Sequence, residues 1–328
     1  TPEGIVQSAC KAEELGFDAV LVNDHIIVDG SPRVLSSWGN TYDPLITLSY
    51  VAARTSRIRL GLSVLIMPYR NPIATAKMIA TLDQLSGGRV IAGVGAGWNE
   101  TEFDALGVPF EQRGARTTEY LRLWQACWAP GETTFHGEFF SFDKMHINPK
   151  PLQSPHPPIW IGGESPPALR RAARLADVWY PLGVNPRFPM ATPEQMADGI
   201  FRLRRNAEEI GRDPSEIGLA YFVYQYQQPE PKILNGERER FTGSPEQVLN
   251  ELEAQGINSR DCQRRYRFNG QGMTTIPGFR FSREGERVYV IVFPEKGVRQ
   301  APLSRVDRRP MQRARRRRVL ALLEREAI

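Results

Sequence analysis

The sequence predicts an α/β protein built as a (β/α)8 TIM barrel, and three observations support this fold. Short apolar runs alternate with amphipathic helical segments from residue 2 to residue 257. Such alternation is typical of a parallel sheet that is covered by helices. The helical segments are evenly spaced, and no change in composition divides the chain into two halves. A barrel of eight units therefore fits the length better than an open, doubly wound sheet.

The first unit consists of a helix followed by a strand. Apolar residues recur at helical spacing over residues 2–15, and Thr1 is placed to act as the N-cap. The run FDAVLV then predicts a short buried strand of a parallel sheet. This strand ends in two polar residues, Asp24 and His25, which we expect at the carboxyl edge of the sheet.

The same pattern continues along the chain. Further helices are predicted over residues 43–56, 71–88, 118–128, 165–176, 192–211 and 244–257. Further strands are predicted over residues 58–66, 89–97, 157–163, 177–183 and 217–226. The chain thus carries six predicted strands before residue 230.

One segment, residues 132–150, interrupts this alternation. It is rich in aromatic residues, predicts short strands and has no helix signal. We interpret it as an insertion between a helix and the following strand. On a barrel such an insertion would lie at the rim, where it would cover the active site.

The net charge of +5 comes from the end of the chain. Residues 258–328 contain 18 Lys and Arg but only 7 Asp and Glu, whereas the first 257 residues carry a balance of −6. The body of the protein is therefore mildly acidic and gives no reason to expect a nucleic-acid partner.

We accordingly divide the chain into a barrel domain, residues 1–257, and an atypical basic segment, residues 258–328. Polar residues dominate the start of this segment, where a buried strand belongs, and the β-like run RVYVIVF appears only at 287–293. Three explanations stay open: a frameshift that replaced the native C-terminus, a genuine extension that binds an anionic partner, or a disordered charged tail.

The cysteines and the hydropathy of the chain give an expectation for where the protein is located in the cell. Cys10, Cys127 and Cys262 are far apart and lack metal-ligand spacing, which favours a reducing, cytoplasmic setting over a disulfide framework. No run of about 18 apolar residues occurs, so we expect no membrane partner. The chain opens at Thr1 rather than Met, so a lost leader stays open.

Two long motifs carry a resemblance to a known family. They are LDQLSGGRVIAGVGAGWNETEFDALGVPFEQRGART and PKPLQSPHPPIWIGGESPPALRRAARLADVWYP. Over residues 1–257 the chain resembles luciferase-like monooxygenases, and most of all the subgroup described as F420-dependent oxidoreductases. The resemblance implies a barrel of the bacterial-luciferase type, a homodimer, and a cofactor across the carboxyl-terminal mouth. The family's first strand would precede Thr1, so the first strand is missing here, and the eighth is doubtful.

The resemblance implies roles for residues after the first two strands of this chain. Asp24 and His25 form the catalytic pair, in which the carboxylate would orient the imidazole for proton transfer. A helix-capping pair is the structural alternative. Ser63 and Val64 would support the cofactor ring through a non-proline cis peptide bond, and Met67 would lie near the ring.

The glycine-rich turn GVGAGWNE follows the next strand. Gly95 and Gly97 would let the backbone approach a flat ring, and Asn99 would form hydrogen bonds with its pyrimidine-like edge. The alternative is a tight turn with Asn99 as an N-cap. Sugar-phosphate dehydrogenases of the family have a catalytic carboxylate where this chain has Ala96, which puts that reaction in doubt here.

A third group of candidates follows the strands at 157–163 and 177–183. Gly162, Gly163 and Ser165 open a helix, where free backbone N–H groups would hold a cofactor phosphate if Glu164 points away. An ordinary N-cap by Ser165 is the alternative. Trp179 would wall the cofactor or substrate pocket, although a core position accounts for it equally well.

The sequence predicts no metal site. His136, His146 and His156 have no metal spacing with each other or with a carboxylate pair. No nucleophile-elbow motif supports a Ser, His and Asp arrangement either.

The predicted function is that of an oxidoreductase which uses reduced or oxidised coenzyme F420 for hydride transfer to or from a small organic substrate. Two alternatives stay open. One is an FMN-dependent flavin monooxygenase, and the other is a non-catalytic paralogue that binds flavin or deazaflavin without turnover. The substrate itself cannot be predicted, because the loops at a barrel mouth determine it.

Overall fold

A computed structural model describes residues 1–223 apart from Gly16, Val184, Ala191 and Thr192, together with residues 233–234, 237–238, 274–275, 279–283 and 286–292. The described helices are α1 (Pro2–Leu15), α2 (Pro32–Trp38), α3 (Pro44–Ala52), α4 (Pro72–Ser86), α5 (Glu100–Ala105), α6 (Arg113–Trp128), α7 (Pro166–Leu175) and α8 (Pro193–Glu208). Short 3-10 helices lie at Met67–Tyr69, Phe110–Gln112 and Pro214–Glu216.

The described strands are β1 (Ala19–Val22), β2 (Arg59–Leu62), β3 (Leu65–Ile66), β4 (Val90–Gly95), β5 (Thr133–His136), β6 (Ser141–Met145), β7 (Ile159–Gly162), β8 (Val178–Tyr180) and β9 (Gly218–Val223), then β10 (Ile233–Leu234), β11 (Glu237–Arg238), β12 (Thr274–Thr275), β13 (Phe279–Arg283) and β14 (Glu286–Val292). The predicted helix at 244–257 lies outside the described residues.

The ends of the helices follow from local sequence signals. The Thr1 hydroxyl accepts a hydrogen bond from the Gly4 amide and so caps α1 as predicted. Asn71 caps α4 by accepting from the amides of Ile73 and Ala74, and the helix ends at Gly87, whose φ is 70°. These signals fix where the chain turns from the sheet to the helical layer and back.

The main sheet is built around parallel strands. Its strands follow the order β12-β1-β2-β4-β7-β8-β9-β14-β13, and β3 adds to β4. Along this spatial order, each pair of neighbouring strands from β1 through β14 is parallel. At the two ends, β12 pairs antiparallel with β1, and β13 pairs antiparallel with β14. The predicted βα alternation with a parallel sheet is thereby confirmed.

The sequence alone leaves open which strands pair with β1 and with β9. Without the family's first and eighth strands, β1 and β9 would be open edges. In the described residues β12 pairs with β1, and β14 pairs with β9 and contains most of the predicted run RVYVIVF. The outer parallel strands therefore have partners, which lowers the aggregation hazard of an open edge. The rest of the predicted segment 258–328 lies outside the described residues.

Side chains alternate between the two faces of the sheet. One face packs against the helices and includes Val20, Val94 and Trp179 in the main core. The other face forms the interior of the curved sheet, and its cluster contains Leu21, Ile91, Trp160, Val178 and Tyr180. This period of two decides which residues at a strand end can face the mouth.

Residues 132–150 form a hairpin of β5 and β6, with no helix, as predicted. The Glu119 carboxylate, on α6, accepts hydrogen bonds from the amides of Glu138, Phe139 and Phe140 at the turn. The hairpin is thus anchored on the helical layer. That it covers the active site stays a prediction, as does the division of the chain at residue 257.

Candidate functional site

The candidate site lies at the carboxyl edge of the sheet. Because the strands are parallel, the segments that follow β1, β2, β4, β7 and β8 emerge at one edge. All the candidate residues from Asp24 to Trp179 come from these segments or from the ends of the strands themselves.

Asp24 does not orient His25, and this part of the prediction is wrong. Its side chain is buried and accepts two hydrogen bonds from the Arg70 guanidinium, at 2.6 and 2.9 Å, and one from the Ile66 amide. Arg70 also bonds Asp43 at 2.8 Å. Burial alone would lower the pKa of Arg70, but these two carboxylates raise it. Asp24 thus ties β1 to the segment after β3.

His25 is oriented by Glu102 instead. The imidazole Nδ1 lies 3.0 Å from Glu102 Oε2, and the Glu102 side chain is fully buried. The same carboxylate accepts hydrogen bonds from the amides of Ile26 and Ile27 and from the Tyr69 hydroxyl. Four donors therefore converge on one buried carboxylate, which holds the whole turn after β1 in place.

These contacts determine how His25 can act. Burial alone would raise the pKa of Glu102, but the hydrogen bonds from His25 and from the Ile26 and Ile27 amides lower it. The carboxylate is then ionised and can only accept, so the Nδ1 of His25 carries a proton. The free electron pair of the neutral ring is on Nε2, the nitrogen that can exchange a proton with a substrate.

Two tryptophans pack around the imidazole. The ring centroid of Trp38, at the end of α2, lies 4.9 Å from that of His25. Trp98, from the loop after β4, lies 6.3 Å from His25 and 5.4 Å from Trp38. Three separate segments of the edge thus meet at His25.

The peptide bond between Ser63 and Val64 is cis, which confirms that prediction. It divides the predicted strand at 58–66 into β2 and β3. Val64 packs against the interior cluster, and the Ser63 hydroxyl lies 3.0 Å from the Tyr180 hydroxyl. Ser63 and Val64 therefore occupy the carboxyl end of the sheet interior, and their support of a cofactor ring stays a prediction.

The glycines after β4 are required by the protein's own packing. A Cβ on Gly95 would come within 2.7 Å of the Val64 side chain. Gly97 has a φ of +85°, and a Cβ there would come within 2.7 Å of Phe103. The predicted approach of a cofactor ring is not needed to explain either glycine, so their cofactor-binding role stays a prediction.

Asn99 has an unsatisfied buried donor. It is the N-cap of α5 by position, but its side chain forms no capping hydrogen bond. The residue is 6 % exposed, and its Nδ2 has no hydrogen-bond partner. A buried donor without a partner costs about 1–3 kcal/mol, so such groups generally mark a missing ligand or water.

The start of α7 does not supply the predicted anion site in the expected way. Ser165 caps the helix by accepting from the Ala168 amide, and the first two helical residues are prolines, which have no N–H. Glu164 points away, as required: its buried carboxylate accepts from the Leu182 amide and from Asn185. Any phosphate contact would therefore use the loop amides at 162–165 rather than the helix.

Two other candidates are buried in the core. Met67 belongs to the main core between the sheet and the helices. Trp179 is fully buried there too, and its indole N–H donates to the Gly163 carbonyl. The strand alternation instead turns Tyr180 inward, toward Trp160 and Ser63. The burial of Met67 and Trp179 fits the core alternative, and their contacts with a cofactor stay a prediction.

Sequence reasoning missed Glu102 and Trp38. Glu102 stands three residues after Asn99, which is the spacing of a capping box, so an acid at this point was a visible signal. Its bond to His25 spans 77 residues and cannot be predicted from spacing. Trp38 lies on α2, a seven-residue helix too short to give a periodic signal.

The described residues contain neither a candidate metal cluster nor a candidate membrane-spanning helix. No group of three or more His, Cys, Asp or Glu residues there could hold a metal ion. None of the helices in that part of the chain is long and apolar enough to cross a membrane.

Comparison with known proteins gives a family and several relatives. The family described as luciferase-like monooxygenase matches residues 1–281. An FMNH2-dependent dimethylsulfone monooxygenase of Pseudomonas putida is 32% identical over 202 residues, which is 58% of this chain and 55% of that protein. The chain spans about half the length of such curated relatives.

Solved structures show the same fold. The monooxygenase RslO1 from Streptomyces bottropensis is 27% identical, with a TM-score of 0.57 over 70% of this chain and 67% of its own. An F420-dependent secondary alcohol dehydrogenase has a TM-score of 0.62 over 77% of this chain and 85% of its own. At 21% identity, the second likeness shows the fold alone.

Proposed function

Because the chain belongs to the luciferase-like monooxygenase family, we propose that it is an oxidoreductase which binds coenzyme F420 at the carboxyl edge of its sheet. One relative named above is an FMNH2-dependent monooxygenase, and one of the solved structures is an F420-dependent dehydrogenase. F420 is a deazaflavin that carries a hydride, and the protein's part is to bind, orient and shield the reacting groups. The substrate is a small organic molecule that gains or loses that hydride.

The unsatisfied Nδ2 of Asn99 is the observation that carries this proposal. A buried amide N–H needs an acceptor, and the pyrimidine edge of a flavin or deazaflavin presents carbonyl oxygens. Asn99 directly follows Trp98, whose ring packs near His25. An acceptor on Asn99 would therefore belong to a molecule that also lies near the imidazole.

His25 has the geometry of a proton carrier for such a reaction. When a carbonyl carbon gains a hydride, its oxygen gains a proton, and the reverse reaction of an alcohol releases one. Glu102 holds the Nδ1 side of His25, which leaves Nε2 for the substrate oxygen. Proton transfer by a positioned imidazole contributes a factor of about 10²–10⁴ to the rate.

The choice of F420 rests on the resemblance to deazaflavin enzymes. FMN is the alternative, in which reduced flavin would activate oxygen. It is favoured by the 32% identity to an FMNH2-dependent monooxygenase. Both cofactors would use the same edge, so the alternatives differ in chemistry rather than in place.

A direct test is to titrate the full chain with F420 and with FMN, and to follow oxygen uptake after each cofactor is reduced. We expect F420 to bind more tightly, with no oxygen uptake above the protein-free rate. Tighter binding of FMN together with oxygen uptake would replace F420 by the monooxygenase alternative. Binding of neither cofactor would reject both.

We also propose that the protein is a homodimer. Sedimentation velocity of the full chain tests it, since a dimer and a monomer of this 37.1 kDa chain separate clearly. A single monomeric species at micromolar concentration would contradict it.

A further inference from the structure

Exposed apolar side chains cluster around His25 at the carboxyl edge. We call Ile26, Ile27, Leu35 and Trp98 the apolar rim; their exposed fractions are 45, 49, 48 and 59%. Single exposed apolar residues are common on protein surfaces, but a cluster of them marks a binding site.

The apolar rim is continuous because its segments touch. Ile26 and Ile27 directly follow His25, whose ring packs against Trp38 and Trp98. Leu35 stands three residues before Trp38 on α2, so the two lie on the same face of that helix. Three parts of the chain that are distant in sequence thus present one surface around the imidazole.

The rim is held in place rather than loosely exposed. The Glu102 carboxylate binds the amides of both Ile26 and Ile27, at 2.6 and 3.1 Å. The same carboxylate fixes the imidazole, so the apolar side chains and the proton carrier keep a constant relation to each other. A surface organised in this way binds a ligand without the cost of ordering a loop.

The charges behind the rim disfavour an anionic ligand. The Glu102 carboxylate bonds to the amides of Ile26 and Ile27 and so lies next to the rim. Arg70 is already bound by the carboxylates of Asp24 and Asp43. A phosphate or carboxylate on the ligand would therefore be repelled by Glu102, and Arg70 would not be free to balance its charge.

From these contacts we infer that the apolar rim is the substrate-docking surface and that the substrate is an uncharged organic molecule with an apolar body. Its oxygen would face His25, and its hydrocarbon part would cover Trp98 and the two isoleucines. The term substrate rests on the proposed function, whereas binding of an uncharged apolar molecule to the rim does not.

The test compares cyclohexanol with cyclohexanecarboxylate, which has the same ring but carries a negative charge. Binding to the full chain is measured by saturation-transfer-difference NMR, with and without F420. We expect cyclohexanol to bind at least about tenfold more tightly than the carboxylate. Equal or tighter binding of the carboxylate would overturn the inference.

Two variants locate the binding. Trp98→Ala should weaken cyclohexanol binding at least about fivefold, whereas Phe201→Ala, at an exposed aromatic residue of α8, should leave it unchanged. Circular dichroism checks that both fold. An unchanged affinity in Trp98→Ala would overturn the inference. Loss of dimerisation in that variant, without loss of cyclohexanol binding, would assign the rim to contact between copies instead.

The separate cofactor titration distinguishes the two proposals. If cyclohexanol binds at the rim while neither F420 nor FMN binds, the proposed function fails and the binding inference stands. If F420 binds and cyclohexanol does not, the binding inference fails and the proposed function stands.

Discussion

The two edges of the parallel sheet differ in how completely their buried polar groups are paired. At the amino edge, polar side chains are saturated by the backbone. Arg89, which directly precedes β4, donates to the carbonyls of Ala52, Thr55, Ile58 and Ser86. Glu13 similarly accepts from three consecutive amides before β2. Each of these side chains closes a gap between helix ends and strand starts.

At the carboxyl edge, not every buried polar group has a hydrogen-bond partner. Asn99 has a buried amide nitrogen without a partner, and His25 is held by Glu102 through its Nδ1. Trp98 exposes a large aromatic surface. At the amino edge the chain pairs these polar groups itself, whereas the carboxyl edge has the unpaired donor and exposed aromatic surface on which the proposed cofactor site rests.

The largest effect is expected from His25→Asn. Because this change removes the proposed proton carrier, kcat with the best alcohol or ketone of a substrate panel should fall by about 10²–10⁴. The dissociation constant of F420 should change much less. His156→Asn, near the amino edge, is the matched control and should retain kcat. Equal losses of kcat in both variants would contradict the proposed difference between the two edges.

Arg89→Ala should be the most damaging change at the amino edge. It removes the donor of three buried carbonyls and one partly buried carbonyl, so we expect the free energy of unfolding to fall by about 3 kcal/mol. Urea unfolding measures it. The exposed Arg205, paired with Glu209 on α8, gives the control, and Arg205→Ala should cost less than about 0.5 kcal/mol. Similar costs for both arginines would contradict the account of a saturated edge.

Glu13→Gln should give the smallest effect, with a defined pH dependence. Burial alone would raise the pKa of Glu13, but the amides of Ser56, Arg57 and Ile58 lower it from 4.5 to about 2. A lowered pKa means that the stabilisation is complete above pH 4.5 and is lost as the pH falls toward 2.

The variant should therefore be less stable than the parent by about 1 kcal/mol at neutral pH, and this gap should narrow in acid. Urea unfolding of both proteins at neutral pH and at several acidic pH values measures it. A gap that stays constant or widens as the pH falls would show that Glu13 does not act through its charge.

The fold could be predicted from sequence because its signals are local. The cap of α4 by Asn71 and the alternation of strands with helices are both visible in short windows. The helices α2 and α5 were missed because seven and six residues give too little periodicity. The partners of the doubtful outer strands depend on pairing across most of the chain, which local patterns do not determine.

The candidate site was predicted in position but not in its contacts. The polar strand ends placed Asp24, His25 and Asn99 at the correct edge. The partner of His25 could not be predicted, since Asp24 is adjacent in sequence but its side chain is taken by Arg70. Which of Trp179 and Tyr180 faces the sheet interior could not be predicted, because a composition signal does not say which face of a strand a residue occupies.

A comparison of Asn99 with Asn71 gives the most direct test of the central claim, which is that the carboxyl edge binds a cofactor. Both are N-caps by position, but only Asn71 caps its helix. We expect Asn99→Ala to weaken F420 binding about tenfold without destabilising the free protein, because it removes a donor that has no partner. Asn71→Ala should cost about 1 kcal/mol of stability and leave F420 affinity unchanged. The measurement is a fluorescence titration of F420 with both variants beside their urea unfolding. Unchanged affinity in Asn99→Ala, or a loss of stability equal to that in Asn71→Ala, would contradict the account.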